Sequence, residues 1–337
     1  MRVLVTGGAG YVGSHTVRAL CDAGHEPIVF DNLSTGHAAA VDRRATLVIG
    51  DLANAAHLRE TLARGIDAVM HFAASLDVAE SVREPLRYYR NNVSHTVTLL
   101  EAMKSAGVTS IVFSSTCATY GIPATVPIDE TMPQSPINPY GRTKLAMEWA
   151  LRDSCAAWGL GATALRYFNA AGAAVDGSIG EDHRPEIHLI PRVLFAALGR
   201  EKEIPIFGTD YPTPDGTCIR DYVHVCDLSD AHVRAIETQR EGQFRCYNLG
   251  TGRGASVLEI VETARRVTGR PIAVVTSPRR AGDPPELVAN ACRAETELNW
   301  KPQYTRMEAI LDSAWTWHRT NPKGFGSSGV RTGAGQS

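Results

Sequence analysis

The sequence predicts an α/β protein built on a doubly wound parallel sheet, and three observations carry that expectation. Short β-branched runs alternate with amphipathic segments from the first residues onward, a glycine-spaced turn separates the first run from the first amphipathic segment, and an aspartate ends the second run. Alternation at this spacing builds βαβ units, whose right-handed crossovers put helices on both faces of a parallel sheet.

The elements follow in order. RVLVT opens the chain as an apolar strand, and VLVTGGAGYVGSH then places Gly7, Gly10 and Gly13 between it and the amphipathic HTVRALCDAG. Glycines there permit a tight turn, close approach of backbone to a pyrophosphate and close helix–sheet packing, while the helix N-terminus offers unpaired N–H groups to phosphates. The next strand, PIVF, ends in Asp31, 18 residues past Gly13. An acid at that strand end accepts hydrogen bonds from ribose hydroxyls and repels a 2′-phosphate, so NAD is expected in preference to NADP. Asp51 ends the third strand, LVIGD, and is either an adenine contact or a solvated loop acid. The alternation continues through AHLRETLARG, DAVMHFAA, HTVTLLEAMKSAG, SIVFSST, KLAMEWALRDSCAAWG and GATALRYFN, completing a Rossmann-type sheet.

Two stretches of this half carry chemistry. IVFSSTCATYG puts Ser114, Ser115 and Thr116 at the carboxyl edge of a strand, where hydroxyls either bond a substrate oxygen or cap the backbone. NPYGRTK sets Tyr140 and Lys144 four apart behind a proline, on one helix face about 5–6 Å apart at Cβ. A neighbouring ammonium favours the phenolate, so the pair is a candidate general base, or else a snorkelling lysine beside a surface tyrosine. The strand of Thr116 and the helix of Tyr140 are consecutive units of one sheet, so their ends converge.

After Asn169 the rhythm breaks into a Gly/Pro/Asp-rich region to Asp215, then RDYVHV and DLSDAHVRAIET, then shorter mixed elements. The expected organisation is a dinucleotide domain over 1–170 with a returning segment near 220–240, a smaller mixed α/β substrate-binding lobe mainly over 171–320, and a Gly/Ser-rich disordered tail over 323–337. Arg220 and Arg280 lie in that lobe as solvated cations or as a clamp on a diphosphate. A formal charge of −2 and dispersed basic residues point to no nucleic-acid partner and no anionic membrane surface. Seven cysteines without a Cys-x-x-Cys argue against a disulfide framework and fit a reducing cytoplasm. MRVLVTGG is too short for a signal segment, and no run approaches 18 apolar residues. No metal is expected: His183 and His188 in EDHRPEIHLIP form no His-Glu-x-x-His. Cys117 reads as an inert thiol.

With TGGAGYVG, Asp31, SST and YGRTK in place, the sequence resembles the extended short-chain dehydrogenase/reductase family, in its nucleotide-sugar epimerase branch. The likeness also runs through DNLSTG, HFAAS, YYRNNV, FSSTCATYG, INPYGRTK, LRYFNAAGA, GTDYPTPDGTCIRDYVHV, YNLGTGRG, PRRAGDPP and ELNW, covering about residues 1–320. The resemblance implies Tyr140 as general base, Lys144 as the cation that holds the nicotinamide ribose and depresses the tyrosine pKa, and Thr116 as partner of the sugar 4-hydroxyl. It implies that Gly7, Gly10, Tyr11, Val12, Gly13, Asp31 and Asn32 contact NAD, together with Asp51, Leu52, Phe72, Ala73, Asn91, Ser114 and Tyr167. For the nucleotide sugar it implies Asn169, Leu189, Phe207, Arg220, Arg280 and Asp283, with Phe207 near the uracil and the arginines on the diphosphate. A homodimer is implied on the same ground.

The activity so implied is inversion at carbon 4 through a keto sugar, interconverting UDP-glucose and UDP-galactose, or a UDP-pentose, UDP-glucuronate or UDP-N-acetylglucosamine pair. A 4,6-dehydratase needs an Asp-Glu pair after the Ser-Thr, where this chain has Cys117 and Ala118. A non-catalytic NAD sensor would not need the intact Tyr140, Lys144 and Thr116. Two departures stand out: Ser75, Leu76 and Asp77 occupy the place where several epimerases have a lysine, and Leu287 stands where a tyrosine or a smaller residue borders the sugar pocket.

Overall fold

The computed structural model describes residues 1–280 and 283–326. The first half runs β1 (Arg2–Thr6), α1 (Tyr11–Asp22), β2 (Glu26–Asp31), β3 (Thr46–Ile49), α2 (Ala55–Leu62), β4 (Ala68–His71), α3 (Val78–Arg83), α4 (Pro85–Tyr88), α5 (His95–Ala106), β5 (Ser110–Thr116), α6 (Pro139–Trp158) and β6 (Gly161–Tyr167). A π-helical turn, Tyr89–Ser94, leads into α5. The second half continues with β7 (Asn169–Ala171), α7 (Leu189–Ala197), β8 (Ile204–Phe207), β9 (Ile219–His224), α8 (Val225–Glu237), β10 (Phe244–Leu249), β11 (Gly254–Ser256), α9 (Val257–Thr268), β12 (Val274–Ser277), β13 (Glu286–Leu287), α10 (Cys292–Glu297) and α11 (Met307–Thr320).

Seven strands form one parallel sheet in the order β10-β6-β5-β4-β1-β2-β3. Its strands are apolar on both faces because both faces are covered. Along β1, Leu4 enters one apolar cluster with Phe30, Leu58, Phe113 and Met147, whereas Val3 and Val5 enter another with Val29, Leu20, Leu228 and Trp300. Burial of each such large side chain stabilises by about 1.5–3 kcal/mol before the entropy of ordering is set against it. From β1 the chain goes outward to β2 and β3, then crosses to the other side for β4, β5 and β6. That reversal opens a crevice at the carboxyl ends of β1 and β4, the place where such sheets bind ligands.

The chain returns to this sheet through α8, which packs on α1, and through β10 at its edge. Strand β9 stays outside it, in a small sheet with β11 and β13, and with β7 paired alongside. Beneath that sheet Ile190, Leu194, Ile260, Leu311 and Trp315 join α7, α9 and α11 into a third core. Strands β8 and β12 form a separate pair. Of the segment expected as a tail, Phe325 packs on Trp317 with ring centroids 4.7 Å apart and donates its N–H to Asp182. Residues 327–337 lie outside the described residues. Among the described residues all seven cysteines are free and no helix is long and apolar enough to cross a membrane.

Candidate active site

The glycine turn comes first because everything else is arranged around it. Gly7 has φ +74, a left-handed conformation that costs glycine nothing, and a Cβ there would stand 2.5 Å from Ala73 N. A Cβ on Gly13 would stand 2.2 Å from Gly7 O, so only glycine lets α1 approach the turn this closely. Gly10 caps α1 with extended backbone and no side-chain bond, which leaves the first-turn N–H groups open to an anion. Beside it Tyr11 Oη donates to Gly172 O at 2.6 Å, tying the turn to the segment after β7. Val12 lies in the same first turn.

Asp31 sits buried at the end of β2, accepting from Ala9 N at 2.9 Å and Leu33 N at 2.8 Å. Burial pushes its carboxyl up, and these two N–H groups oppose the shift. Each oxygen keeps a lone pair for a further donor such as a ribose hydroxyl. Next to it Asn32 donates to Asp51 at 2.8 Å, and the Ala53 N–H together with Asn32 holds the Asp51 carboxyl below its ordinary range. Phe72 and Ala73 follow β4, with Ala73 N bonded to Thr6 O at 3.1 Å. Asn91, in the π-helical turn, donates to Ser75 Oγ at 3.1 Å. Leu52 is buried in the apolar cluster under α2 and α5.

Across the crevice stands the start of α6. Asn138 accepts from Gly141 N at 2.8 Å and Pro139 occupies the first turn, so NPYG is an N-cap followed by a residue pre-set for helix. The cap fixes where Tyr140 points. Lys144, one turn on and only 3% exposed, donates from Nζ to Ser114 O at 2.8 Å. Thr116 ends β5; its hydroxyl accepts from Ala118 N at 3.2 Å and stands close enough to the Tyr140 phenol to favour its ionised form. Ser114 Oγ and Tyr167 Oη lie 2.5 Å apart, and burial pushes Tyr167 up to about 12. Thus β5, β6 and α6 bring Ser114, Thr116, Tyr140, Lys144 and Tyr167 together.

Without cofactor, the Tyr140 phenol is pushed above its ordinary value by burial, with Tyr167 adding and the Thr116 hydroxyl opposing, so the depression expected from Lys144 does not by itself prevail. The ammonium lies 5.9 Å from the ring centroid, is engaged by the Ser114 carbonyl, and is itself driven down to about 7 by its own burial. For each group its own desolvation is the largest cause of the shift.

The lobe residues gather on the other side. Asn169 donates to Asp221 O at 3.0 Å, and Arg220 forms an ion pair with Asp283. Arg280 lays its guanidinium over the Phe207 ring, 4.1 Å from the centroid. Leu189 begins α7 and packs against the third core. Leu287 pairs with Arg220 across β13 and β9, and shares an apolar cluster with Cys117, Phe168 and Tyr120. Cys117 is buried and pushed up to about 12 by desolvation, which leaves it a thiol. Of the departures, Leu76 is 42% exposed and Asp77 caps α3 through Glu80 N, so neither supplies the cation of a lysine.

Sequence reasoning missed the layer beneath. Glu148, buried one turn beyond Lys144, accepts from Arg166 at 2.9 and 2.6 Å and from Ser115 Oγ at 2.5 Å. Arg166 also donates to Tyr120 Oη at 2.8 Å, which donates to Asn248 at 2.7 Å. The i,i+4 continuation from Tyr140 through Lys144 to Glu148 was the available signal.

A glycine turn at the switch point of a parallel sheet, faced by a helix carrying Tyr-x-x-x-Lys, defines an enzyme of the dinucleotide-dependent short-chain dehydrogenase type. The family model for the NAD dependent epimerase/dehydratase family matches residues 3–250, and the chain belongs to that family. It is 50% identical over 328 residues to the UDP-glucose 4-epimerase of Lacticaseibacillus casei, covering 97% of this chain and 99% of that one. Among solved structures, the UDP-glucose 4-epimerase of Brucella ovis in complex with NAD is similar at 50% identity and a TM-score of 0.90, covering 93% of this chain and 97% of that one. The enzyme of Bifidobacterium longum in complex with NAD⁺ and UDP is similar at 40% identity and a TM-score of 0.93, covering 96% and 100%.

Proposed function

We propose that this chain is a UDP-glucose 4-epimerase that interconverts UDP-glucose and UDP-galactose with bound NAD. What carries the reading is likeness at half identity over nearly the whole chain to an enzyme of that name, in a molecule whose Thr116, Tyr140 and Lys144 converge at one sheet edge. The glycine cradle, which any Cβ at Gly7 or Gly13 would fill, and the uncapped start of α1 fit a dinucleotide pyrophosphate. Asp31, with Asn32 and Asp51 beside it, would hold the adenosine end, and Lys144 the nicotinamide ribose. NAD, when bound, accepts hydride from carbon 4 of the sugar and returns it.

Tyr140 takes the proton of the sugar 4-hydroxyl while Thr116 orients that oxygen. With the phenol pushed up by burial, its ionisation waits for positive charge brought by the filled site, and Lys144 supplies part once its ammonium is solvated by a ribose. The 4-keto sugar turns to present its other face, and Tyr140 gives the proton back. Arg220, Arg280 and Phe207 hold the UDP end while the hexose meets uncharged neighbours such as Leu287, so the nucleotide is gripped and the sugar is free to turn. No carboxylate follows Thr116, which leaves elimination of water without its acid and base.

A homodimer and a cytoplasmic location belong to the same proposal. Val82, Leu86, Val97 and Trp149 are exposed on the adjoining helices α3, α4, α5 and α6, an apolar face suited to a second copy. Seven free cysteines suit a reducing compartment. The test is incubation with a panel of UDP-sugars without added reductant, with products identified by NMR. Fastest inversion is expected for UDP-galactose and UDP-glucose; faster inversion of a UDP-pentose or UDP-glucuronate would replace the sugar assignment. Tyr140→Phe should lower turnover about 10²–10⁴-fold with NAD retained, and near-normal turnover would remove Tyr140 from the chemistry.

A further inference from the structure

Between β7 and α7 the chain makes a loop on which four potential ligands meet: Glu181, His183, Glu186 and His188. Their nearest ligand atoms all lie within 4.8 Å of one another. Glu181 Oε1 is 3.1 Å from His183 Nδ1 and 2.5 Å from His188 Nδ1. Glu186 Oε2 is 3.8 Å from His183 Nδ1, and Glu186 Oε1 is 3.5 Å from His188 Nδ1. In a tetrahedral zinc site with ligands about 2.0–2.1 Å from the ion, adjacent ligand atoms stand about 3.3 Å apart. The Glu181 contacts are shorter than or close to that edge and the Glu186 contacts somewhat longer, so binding would draw Glu186 inward and open the Glu181–His188 contact.

A second observation points the same way. Glu186 Oε1 accepts from the N–H groups of Ile187 and His188, both at 2.9 Å, which fixes the carboxylate. Its Oε2 turns toward His183, buried and with no hydrogen-bond partner, on a side chain only 5% exposed. A buried carboxylate oxygen without a donor is costly, and a cation is the partner that relieves it. Two imidazoles and two carboxylates form a borderline donor set, matched to Zn²⁺ or Co²⁺ better than to Mg²⁺ or Ca²⁺, which take oxygen ligands at higher coordination. The expectation of no metal rested on helical His-Glu-x-x-His spacing, which does not apply to ligands on a loop.

We propose that Glu181, His183, Glu186 and His188 form a tetrahedral site for a zinc-class divalent ion. The ion would act as a structural clamp. Glu181 accepts from Trp317 Nε1 through its backbone oxygen at 3.0 Å, His183 meets the Tyr11 ring edge-on at 6.3 Å, and Tyr11 is bonded back to Gly172. Bound metal would therefore pin this loop between α11 and the start of α1, where the glycine turn lies. None of the four is hydrogen-bonded to Thr116, Tyr140 or Lys144, and the role assigned to the ion is structural.

Untagged full-length protein, stripped with a chelator and dialysed, is titrated with Zn²⁺ by calorimetry and with Co²⁺ by visible absorption. The expected result is one Zn²⁺ per chain, intense tetrahedral d–d bands with Co²⁺ that Zn²⁺ displaces, and a higher melting temperature with metal. His188→Ala and Glu186→Gln should abolish saturable uptake while circular dichroism stays native. Absence of saturable uptake by wild type, weak octahedral Co²⁺ bands, or uptake unchanged in both variants would overturn the site. Should the variants misfold, the wild-type Co²⁺ spectrum decides alone, since cysteine ligation elsewhere would announce itself by sulfur charge-transfer bands.

Discussion

Lys144 is buried as a cation beside the Ser114 carbonyl, and that has a consequence for stability. Its folded pKa is driven down by burial to about 7 from an ordinary 10.5. Below about 7 both folded and unfolded chains carry the proton and the burial penalty is in full force; between the two values the unfolded chain binds more protons. Stability of the protein without NAD should therefore rise with pH through this window, by up to about 1.4 kcal/mol per pH unit, and the gain should be lost as pH falls through the folded value. Urea unfolding from pH 6 to 9 should show the rise in wild type and a flatter profile in Lys144→Met; equal slopes would mean the ammonium is not destabilised. A second expectation concerns Leu287, 9% exposed between Cys117 and Phe168. An N-acetyl group turning beside it meets a packed wall, and such overpacking costs about 1–3 kcal/mol, roughly 5–150-fold in rate. Leu287→Gly should raise kcat/KM for UDP-N-acetylglucosamine relative to UDP-galactose by a factor in that range, although the cavity should cost about 2–5 kcal/mol of stability. An unchanged ratio would place Leu287 outside the sugar's path.

At the scale of elements, α6 is the member that turns a sheet into a site. Its face carries Tyr140, Lys144 and Glu148 at successive i+4 positions, and each meets a different depth of the molecule. Tyr140 reaches the crevice, Lys144 the end of β5, and Glu148 the buried guanidinium of Arg166 on β6. Removing one member of a buried pair strands the other charge, so Glu148→Ala should destabilise by about 3–5 kcal/mol, whereas Glu148→Leu with Arg166→Met should recover most of it. A double-mutant cycle in urea measures this, and additive single losses would show that the pair is uncoupled. The first i+4 step was legible in the sequence because tyrosine next to lysine is chemically suggestive. The second was not, because a glutamate on a helix face is ordinarily solvated, and only the packing of α6 on β6 brings Arg166 to meet it.

For the whole molecule, the exposed apolar face over α3 to α6 sets the expected assembly. Leu86 at 77% and Val82 at 62% exposure belong to none of the contacts that build the site, so a charge there should leave the chemistry intact and disrupt association. Val82→Asp with Leu86→Asp is expected to run as a monomer in light scattering while retaining NAD; a dimer undisturbed by both would put the interface elsewhere. One edge of α6 looks to the crevice and the other to solvent, and a partner bound there would stiffen the helix that carries Tyr140.

The sequence by itself determined the parallel sheet, the cradle at Gly7, Gly10 and Gly13, the acid at Asp31 and the pairing of Tyr140 with Lys144, because each is written in local spacing, and local spacing translates directly into strand, turn and helix face. The tertiary structure alone decided what depends on burial and on contacts between distant segments. It set Arg220 against Asp283 and Arg280 over Phe207, brought β10 rather than β9 to the edge of the large sheet, and gathered two histidines and two glutamates on one loop. It also set a burial penalty on the Tyr140 phenol, since desolvation is a property of the packed interior and leaves no mark on the residues' order along the chain.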